Sequence, residues 1–434
     1  MQIARSFGLL ALGALSGVAR AQLTYQIEVI ADTRNDFSTI TGQGRASIAS
    51  NGHVSFRATL PSGARSLYLW DGMSYSQVST PGSDVSNTNQ ISHDGRVLAW
   101  GERDSFGQRT IHRMVDGVVT LIYDVPGDVV FNNVIAASDG SFAYAGSAFI
   151  SRVSPIGDTI DTIGLSDDLR QICGIPGMND HGTMGFIGSL DSVFAQAVWR
   201  GSSPFLPPDQ FDPAQCNADI NNDEVVAFTA FRPGEDAGVY SFDGTTLRTL
   251  VEPWSGLNNS LRGSEGGLAI NNAGDVALIL QPSATESAGL WVLHPNGTRS
   301  LVFQPTILPG EIFSAQLGDR SFGPGGLSDS GQLVFTYAIR SDTFLAIATP
   351  IPAPCPADLT GSSDPNDPSY AMPDGDADGD DFFFYLDAFA TTDLAVCDLT
   401  GSSDPNDPSF DTPDGDCDGD DFFRYLDLFA AGCN

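Results

Sequence analysis

One arrangement of apolar and polar positions recurs seven times along the chain. An apolar residue leads into a short polar turn, a glycine closes the turn, and a mostly apolar run follows. The copies are IASNG at 48–52, ISHDG at 91–95, AASDG at 136–140, MNDHG at 178–182, INNDE at 220–224, INNAG at 270–274 and LSDSG at 327–331. Their closing positions lie 43, 45, 42, 42, 50 and 57 residues apart, and Glu224 stands where the other copies have glycine. Asn or Asp followed by Gly tolerates positive φ and forms a tight turn. The runs behind these turns, such as VLAW at 97–100 and VALI at 276–279, are apolar on successive residues, the pattern of a strand covered on both faces. A second hairpin signal follows in most copies: LYLW at 67–70 before Asp71-Gly72, VYSF at 239–242 before Asp243-Gly244, and LWVL at 290–293 before Asn296-Gly297. Asp-Gly and Asn-Gly between strands mark two-residue hairpins.

Four short strands per unit at this period predict propeller blades. The expected fold is therefore all-β, a seven-bladed β-propeller, with six or eight blades left open by the spacing, followed by a small α-helical domain. The seventh copy stops at FLAIA, 344–348, and runs into a proline-rich stretch without a fourth strand. YQIEVI at 25–30 reads as the missing strand, so the N-terminal segment is expected to complete the last blade. A ring closed in this way has no sheet edge left to pair with another chain.

Residues 1–21 read as a signal peptide: Arg5, an apolar stretch from Phe7 to Val18, then Ala19-Arg20-Ala21 at the cleavage site. The propeller is expected over 22–349, a stiff proline-rich linker over 350–354 and a duplicated domain over 355–434. No later segment is long and apolar enough to span a bilayer, so an exported protein, secreted or held at the cell surface, is expected. The 434 residues carry 54 acidic and 20 basic side chains, a formal charge of −34, and all the basic ones are arginine. Nucleic acid is thereby excluded as a partner, because phosphate binding needs a basic patch. The charge is concentrated at the end: 355–434 holds 20 aspartates against the single Arg424.

That acidic tail contains one unit twice, offset by 40 residues. Asp358 to Phe383 is matched by Asp398 to Phe423. Each unit ends in a predicted helix, since Phe382, Tyr385, Leu386 and Phe389, like Phe422, Tyr425, Leu426 and Phe429, fall at i, i+3, i+4 and i+7. Asp380 or Asp381, and Asp420 or Asp421, are placed to cap these helices. Carboxylates at alternate positions before a helix suit a hard cation such as Ca²⁺. Read forward from Asp374, the ligands are Asp374, Asp376 and Asp378, but the last ligand position falls on Tyr385. Read back from the helix, Asp378 and Asp381 take the last positions, and Asp358 and Thr360 become the first ligands with an insertion between. We prefer the second reading; both use one cluster. The second unit offers Asp398, Thr400, Asp414, Asp416, Asp418 and Asp421, so about two Ca²⁺ ions are expected.

Six cysteines in an exported chain imply disulfides. Cys173 and Cys216 occupy nearly equivalent places in adjacent repeats and are expected to pair across blades. Cys355, Cys397, Cys417 and Cys433 allow three pairings, which spacing does not resolve. The histidines His53, His93, His112, His181 and His294 read as loop decoration. Asp223 and Glu224 are the weak candidates for catalytic carboxylates, being the acidic pair that departs from the repeat. Phe383 and Phe423 lie off the apolar stripes of their helices and are candidate partner contacts.

Asn271-Asn272-Ala273-Gly274-Asp275-Val276-Ala277-Leu278 and Asn221 to Phe228 resemble the tandem-repeat family of exported bacterial proteins with the signature N-x-x-G-x-x-A-F, which implies no defined activity. The run from Asp358 through Ser369, its copy from Asp398, and the Asp-Gly-Asp-x-Asp-Gly-Asp-Asp-Phe-Phe loops resemble the GC-type dockerin repeat. That resemblance implies Ca²⁺-dependent attachment to a cohesin-like or cell-surface protein, although the long insertion departs from the ordinary dockerin loop. The expected function is a non-catalytic binding or adhesion propeller, with a glycan or protein ligand on one face, assembled through this tail. The alternatives are a propeller-fold carbohydrate-active enzyme, distinguished by two opposed carboxylates in a central cavity, and a structural spacer.

Overall fold

The computed structural model describes residues 24–432, apart from 41–45, 64, 82, 86–87, 104–108, 125–132, 147–148, 164–168, 191–195, 207–217, 232–234, 254–266, 284, 286–287, 306–316, 318–322, 352–354, 368, 375 and 406. The expected signal peptide, Cys216, Cys433 and the side chain of Cys173 lie outside the described residues. The chain divides into two compact units at Ile351/Pro352.

The first unit is a seven-bladed β-propeller. The second strands of its blades are Val54–Thr59, Val97–Arg103, Phe142–Ala145, Met184–Leu190, Val226–Phe231, Val276–Leu280 and Leu333–Ile339. Each follows one of the seven repeated turns. The sixth blade shows the common order: Leu268–Ile270, Val276–Leu280, Gly289–Leu293 and Arg299–Phe303 pair antiparallel in sequence order. In the seventh, Leu327 bridges Leu333, Leu333–Ile339 pairs with Asp342–Ile351, and Thr24–Asp32 adds outside as the fourth strand. The ring is thus closed by the N-terminal segment, as the pattern predicts. That strand carries Tyr25, Ile27 and Val29 onto the apolar cluster of Leu333, Phe335, Ala346 and Ala348.

The linker prediction needs correction at its start. Pro350 and Ile351 are strand, paired with Tyr25 and Thr24. Pairing with the preceding strand ends at Ala348, so Pro350, which lacks an N–H, sits where no ladder donor is required.

The strands after the turns are buried as their apolar runs imply. The position four after the turn glycine often stacks on its cross-strand neighbour: Phe56 on Tyr68 at 5.6 Å, Phe186 on Trp199 at 5.5 Å and Phe228 on Tyr240 at 5.7 Å between ring centroids. The residue before it is small where the next blade comes close. A Cβ at Gly185 would lie 2.8 Å from Ile220 Cβ. The alanine and phenylalanine of the repeat signature are therefore a clearance and a stack.

The second unit holds helices α1 (Gly379–Thr391), α2 (Leu394–Cys397) and α3 (Gly419–Ala431). Its duplicated sequence gives a duplicated core. Tyr385 of α1 and Tyr425 of α3 stack with centroids 3.8 Å apart, and their hydroxyls reach the carbonyls of Cys397 and Ala357. Cys397 and Cys417 form a disulfide with Cα atoms 5.7 Å apart, and Cys355 is also disulfide-bonded. Among the described residues no helix is long and apolar enough to cross a membrane.

Deleting residues 24–32 should strip pairing and three apolar side chains from the seventh blade, a loss on the order of 5 kcal/mol, and leave Asp342–Ile351 as an open edge. A lowered thermal midpoint together with aggregation on gel filtration is the expected result; a monomer with unchanged melting would refute the closure.

Candidate functional site at the propeller axis

The seven repeated turns join innermost to second strands, so they gather round the axis of the ring, and their side chains link the blades. The first turn position carries Asn179, Asn221 and Asn271 in blades four to six. Each Oδ1 accepts an N–H of its own turn, from Thr183 at 2.8 Å, Val225 at 2.9 Å and Asp275 at 2.8 Å. Each Nδ2 donates to the carbonyl at the same position of the next blade: Asn221 at 3.0 Å, Asn271 at 3.2 Å and Ser328 at 3.2 Å. One amide thereby fixes the turn and ties it to its neighbour, which no hydroxyl or carboxylate does with the same geometry.

The second turn position forms a ring of polar side chains: Ser50, His93, Ser138, Asp180, Asn222, Asn272 and Asp329. The backbone N–H groups of Asp180, Asn222 and Asn272 donate to Asn222 Oδ1, Asn272 Oδ1 and Asp329 Oδ1 at 2.8, 2.8 and 2.9 Å. Asn222 and Asn272 donate through Nδ2 to Asp180 and Asp329 at 2.8 and 2.9 Å. Ser138 Oγ donates to Asp180, Ser50 Oγ to Asp329 at 3.2 Å, and Ser50 N–H to the His93 carbonyl at 2.7 Å. Blades two and three are joined instead by a parallel backbone contact, Asn133 with Thr88 and Val134 with Asn89.

Side chains from blade two cross the axis. His93 Nδ1 lies 3.5 Å from Asn272 Nδ2 and 3.8 Å from Asp329 Oδ1, on blades six and seven. Below it Gln90 packs on Gly325 of blade seven, where a Cβ would stand 2.9 Å from Gln90 Cγ and Nε2. Asp219 of blade five also crosses, accepting from Ile220 N–H at 2.9 Å, Ile270 N–H at 3.1 Å and the Gly325 N–H. Gly177 is required beside it, because a Cβ there would collide with Asp219 Oδ1.

Electrostatics bind this column together. Burial pushes the Asp219 carboxyl up to about 6 against three backbone donors and the field of His93. Burial opposes charge on His93, but the neighbouring Asp329 carboxylate and the fields of Asp180 and Asp219 outweigh it and raise its pKa. Burial also disfavours ionised Asp329, yet the neighbouring His93 and the Asn272 donors hold it down at about 2.

A second set of ties lies further out. Arg113 and Arg152 donate to the turn carbonyls of Gly140 and Gly182 at 2.6 and 3.1 Å. Arg200, the matching residue of blade four, faces Glu224, whose Oε2 is 3.6 Å from its Nη1. Glu224 keeps the positive φ of the glycine it replaces, 58°, and Thr183 Oγ1 donates to its other oxygen at 3.3 Å. Asp223 lies on the same turn. The catalytic candidates are therefore placed at an inter-blade ion pair, away from the axial carboxylates. Of the other histidines, His112 stacks on Trp100 near Glu102, and His294 bridges Asp275 and Ser300. Sequence reasoning missed the axial set. The signal available was the second turn position, polar in all seven copies.

In the helical unit the caps are Asp378 and Asp418, not the expected Asp380, Asp381, Asp420 or Asp421. Asp381 sits three residues later and completes the capping box: Oδ2 accepts the Asp378 N–H at 2.8 Å, and Oδ1 accepts the N–H groups of Leu359 and Thr360 at 2.5 and 2.7 Å. Asp421 repeats this with Asp418, Leu399 and Thr400. Both carboxylates are fully buried. The Thr360 and Thr400 hydroxyls donate to the Ser362 and Ser402 carbonyls at 2.7 Å. Asp358 and Asp398 accept the N–H groups of Asp374 and Asp414 at 3.0 Å. The exposed Asp374, Asp376 and Asp378, like Asp414, Asp416 and Asp418, line one loop before each helix. Their oxygens suit a hard cation in kind. Among the described residues no three acidic, histidine or cysteine side chains are gathered into a group that could hold one. Phe383 and Phe423 are 59% and 60% exposed.

No family model matches the chain, and no curated protein matches it. Similar solved structures include a catalytically inactive virginiamycin B lyase from Staphylococcus aureus with quinupristin, 13% identical with TM-score 0.44, spanning 75% of this chain and 100% of that one. A putative TolB from Agrobacterium tumefaciens is 12% identical with TM-score 0.36 over 76% and 99% of the two chains. The β-propeller domain of the Trilobed protease from Pyrococcus furiosus is 10% identical with TM-score 0.34 over 60% and 97%.

Two outcomes are expected. Asn221→Asp keeps the acceptor for Val225 but loses the donor to Asn271, and should cost about 1–3 kcal/mol in urea denaturation; an unchanged midpoint would remove the amide from its linking role. A histidine whose folded pKa is raised stabilises fully below its unfolded value of about 6.5 and loses that contribution as pH rises through the folded value. Asp219 acts in the same direction lower on the scale, its contribution being lost between the ordinary aspartate value of about 4 and about 6 and gone above that. Stability should thus fall from mildly acid to mildly alkaline pH, and fall less in His93→Gln. Equal pH slopes for the two proteins would count against the axial pair.

Proposed function

We propose that this chain is an exported, non-catalytic binding propeller, carried and assembled through a Ca²⁺-dependent dockerin-like tail. The observation that carries the reading is the duplicated tail, with the same exposed aspartates ahead of the same capped helix in both copies. Asp374, Asp376 and Asp378, with Asp414, Asp416 and Asp418, would supply the oxygens. Asp358, Thr360 and Asp381, and Asp398, Thr400 and Asp421, hold each loop to its helix and join the ligand set only by exchanging their present bonds. The cation would neutralise like charges that otherwise repel, and binding would draw each loop inward.

The propeller would present its turn face to a glycan or protein ligand. A second reading, a carbohydrate-active enzyme, is favoured by Asp180 and Asp329 on the ring around His93. Those carboxylates accept ring hydrogen bonds, which supports the binding reading over the hydrolytic one.

Calorimetric titration of the full chain with Ca²⁺ should show about two ions. At millimolar Ca²⁺ and micromolar affinity each adds about 4 kcal/mol to the unit's stability. Replacing Asp374, Asp376 and Asp378 by asparagine should remove one ion. No binding would defeat the tail's assigned role, and glycan hydrolysis lost in Asp329→Asn would favour the enzyme.

A further inference from the structure

The axial column holds three carboxylates and one buried amide oxygen that has no donor. Asp180, Asp219 and Asp329 come from blades four, five and seven, and all three act on the His93 imidazole, the cation on which they converge. Beneath it Gln90 is 3% exposed, and its Oε1 has no hydrogen-bond partner. A buried amide oxygen left unpaired costs about 1–3 kcal/mol. Gln90 of blade two and Asp219 of blade five both reach Gly325 of blade seven, so the unpaired oxygen belongs to the same column as the buried carboxylate.

We propose that the mouth of this column is a binding site for an ammonium group, the charged end of a primary amine, which bonds to Asp180, Asp329 and the unpaired Gln90 Oε1 in place of the His93 imidazole. The chemistry follows from the carboxylates and the unpaired oxygen. An ammonium group has three donors and no acceptor, whereas a hydroxyl or a water would bring acceptors to a place already crowded with them. The ring's hydrogen bonds pin its carboxylates to turn backbones and neighbouring side chains, so they do not close in as a metal ion requires, while an ammonium group bonds acceptors where they stand. The chain contains no lysine to supply such a group from within. This inference deepens the binding reading by naming the ligand's charged end, and it does not depend on the tail.

The test uses the full chain with Asp374, Asp376, Asp378, Asp414, Asp416 and Asp418 replaced by asparagine, so that cations on the tail do not contribute. Methylammonium and tetramethylammonium are compared at equal ionic strength, the second having the charge without the donors. At about pH 8, where His93 gives up its proton most readily, methylammonium should raise the thermal midpoint by about 3 °C and shift the His93 ring resonances, with tetramethylammonium doing neither. Near pH 5 the imidazolium holds the site and the difference should vanish. Gln90→Leu removes the unpaired oxygen without unpairing anything else and should abolish most of the difference while keeping the fold; Asp329→Asn should abolish it too. Equal effects of the two cations, or a difference unaltered by Gln90→Leu, would overturn the proposal. Loss of Ca²⁺ binding by the tail would leave it standing.

Discussion

The propeller depends on a bond made by one amide. Packing between blades is apolar and nearly directionless, so by itself it does not set how far each blade is turned or raised against the next. The asparagines at 179, 221 and 271 supply that setting. Each side chain is held by its own turn, and so its donor has one place to go. Where a serine or alanine takes the position, other devices carry the join: the arginine reaching to the next turn, the parallel contact between blades two and three, or the Ser50 bond to His93.

Much of the ring was legible in the sequence because its determinants are local. Turn, glycine and apolar run are written within ten residues, and seven copies make the blade count. The closing strand was readable because one blade lacked a strand and one terminus had a spare. The axial column was not legible, because its members belong to different repeats. Gln90, Asp219 and Asp329 look like ordinary variations within their copies, and only closure of the ring sets them face to face. Glu224 shows the same limit: alone it is an acidic residue in a glycine position, and Arg200 that answers it belongs to the preceding blade.

The tail was readable in a different sense. Duplication located both helices and their apolar stripes. The roles within the aspartate cluster were harder, because identical side chains do different work. Asp378 caps, Asp381 is buried and accepts three N–H bonds from two chain segments, and Asp374 and Asp376 stay exposed. Type and spacing do not separate these duties; depth does. The units also diverge at one place, where Tyr370 meets Phe384 in the first copy and Phe410 meets the Arg424 guanidinium in the second.

Closure of the last blade by the first strand has a kinetic meaning. Among the strand pairings of the described residues, the one joining the two ends of the ring spans the greatest sequence separation, so its loop-closure entropy is the largest and its formation among the slowest steps. A chain emerging from its N-terminus must keep that strand unpaired until nearly the whole ring has been made. Gln26 and Glu28, alternating with Tyr25, Ile27 and Val29 in its first half, are suited to such a wait, since polar alternation keeps a solitary strand from sticking to the wrong partner.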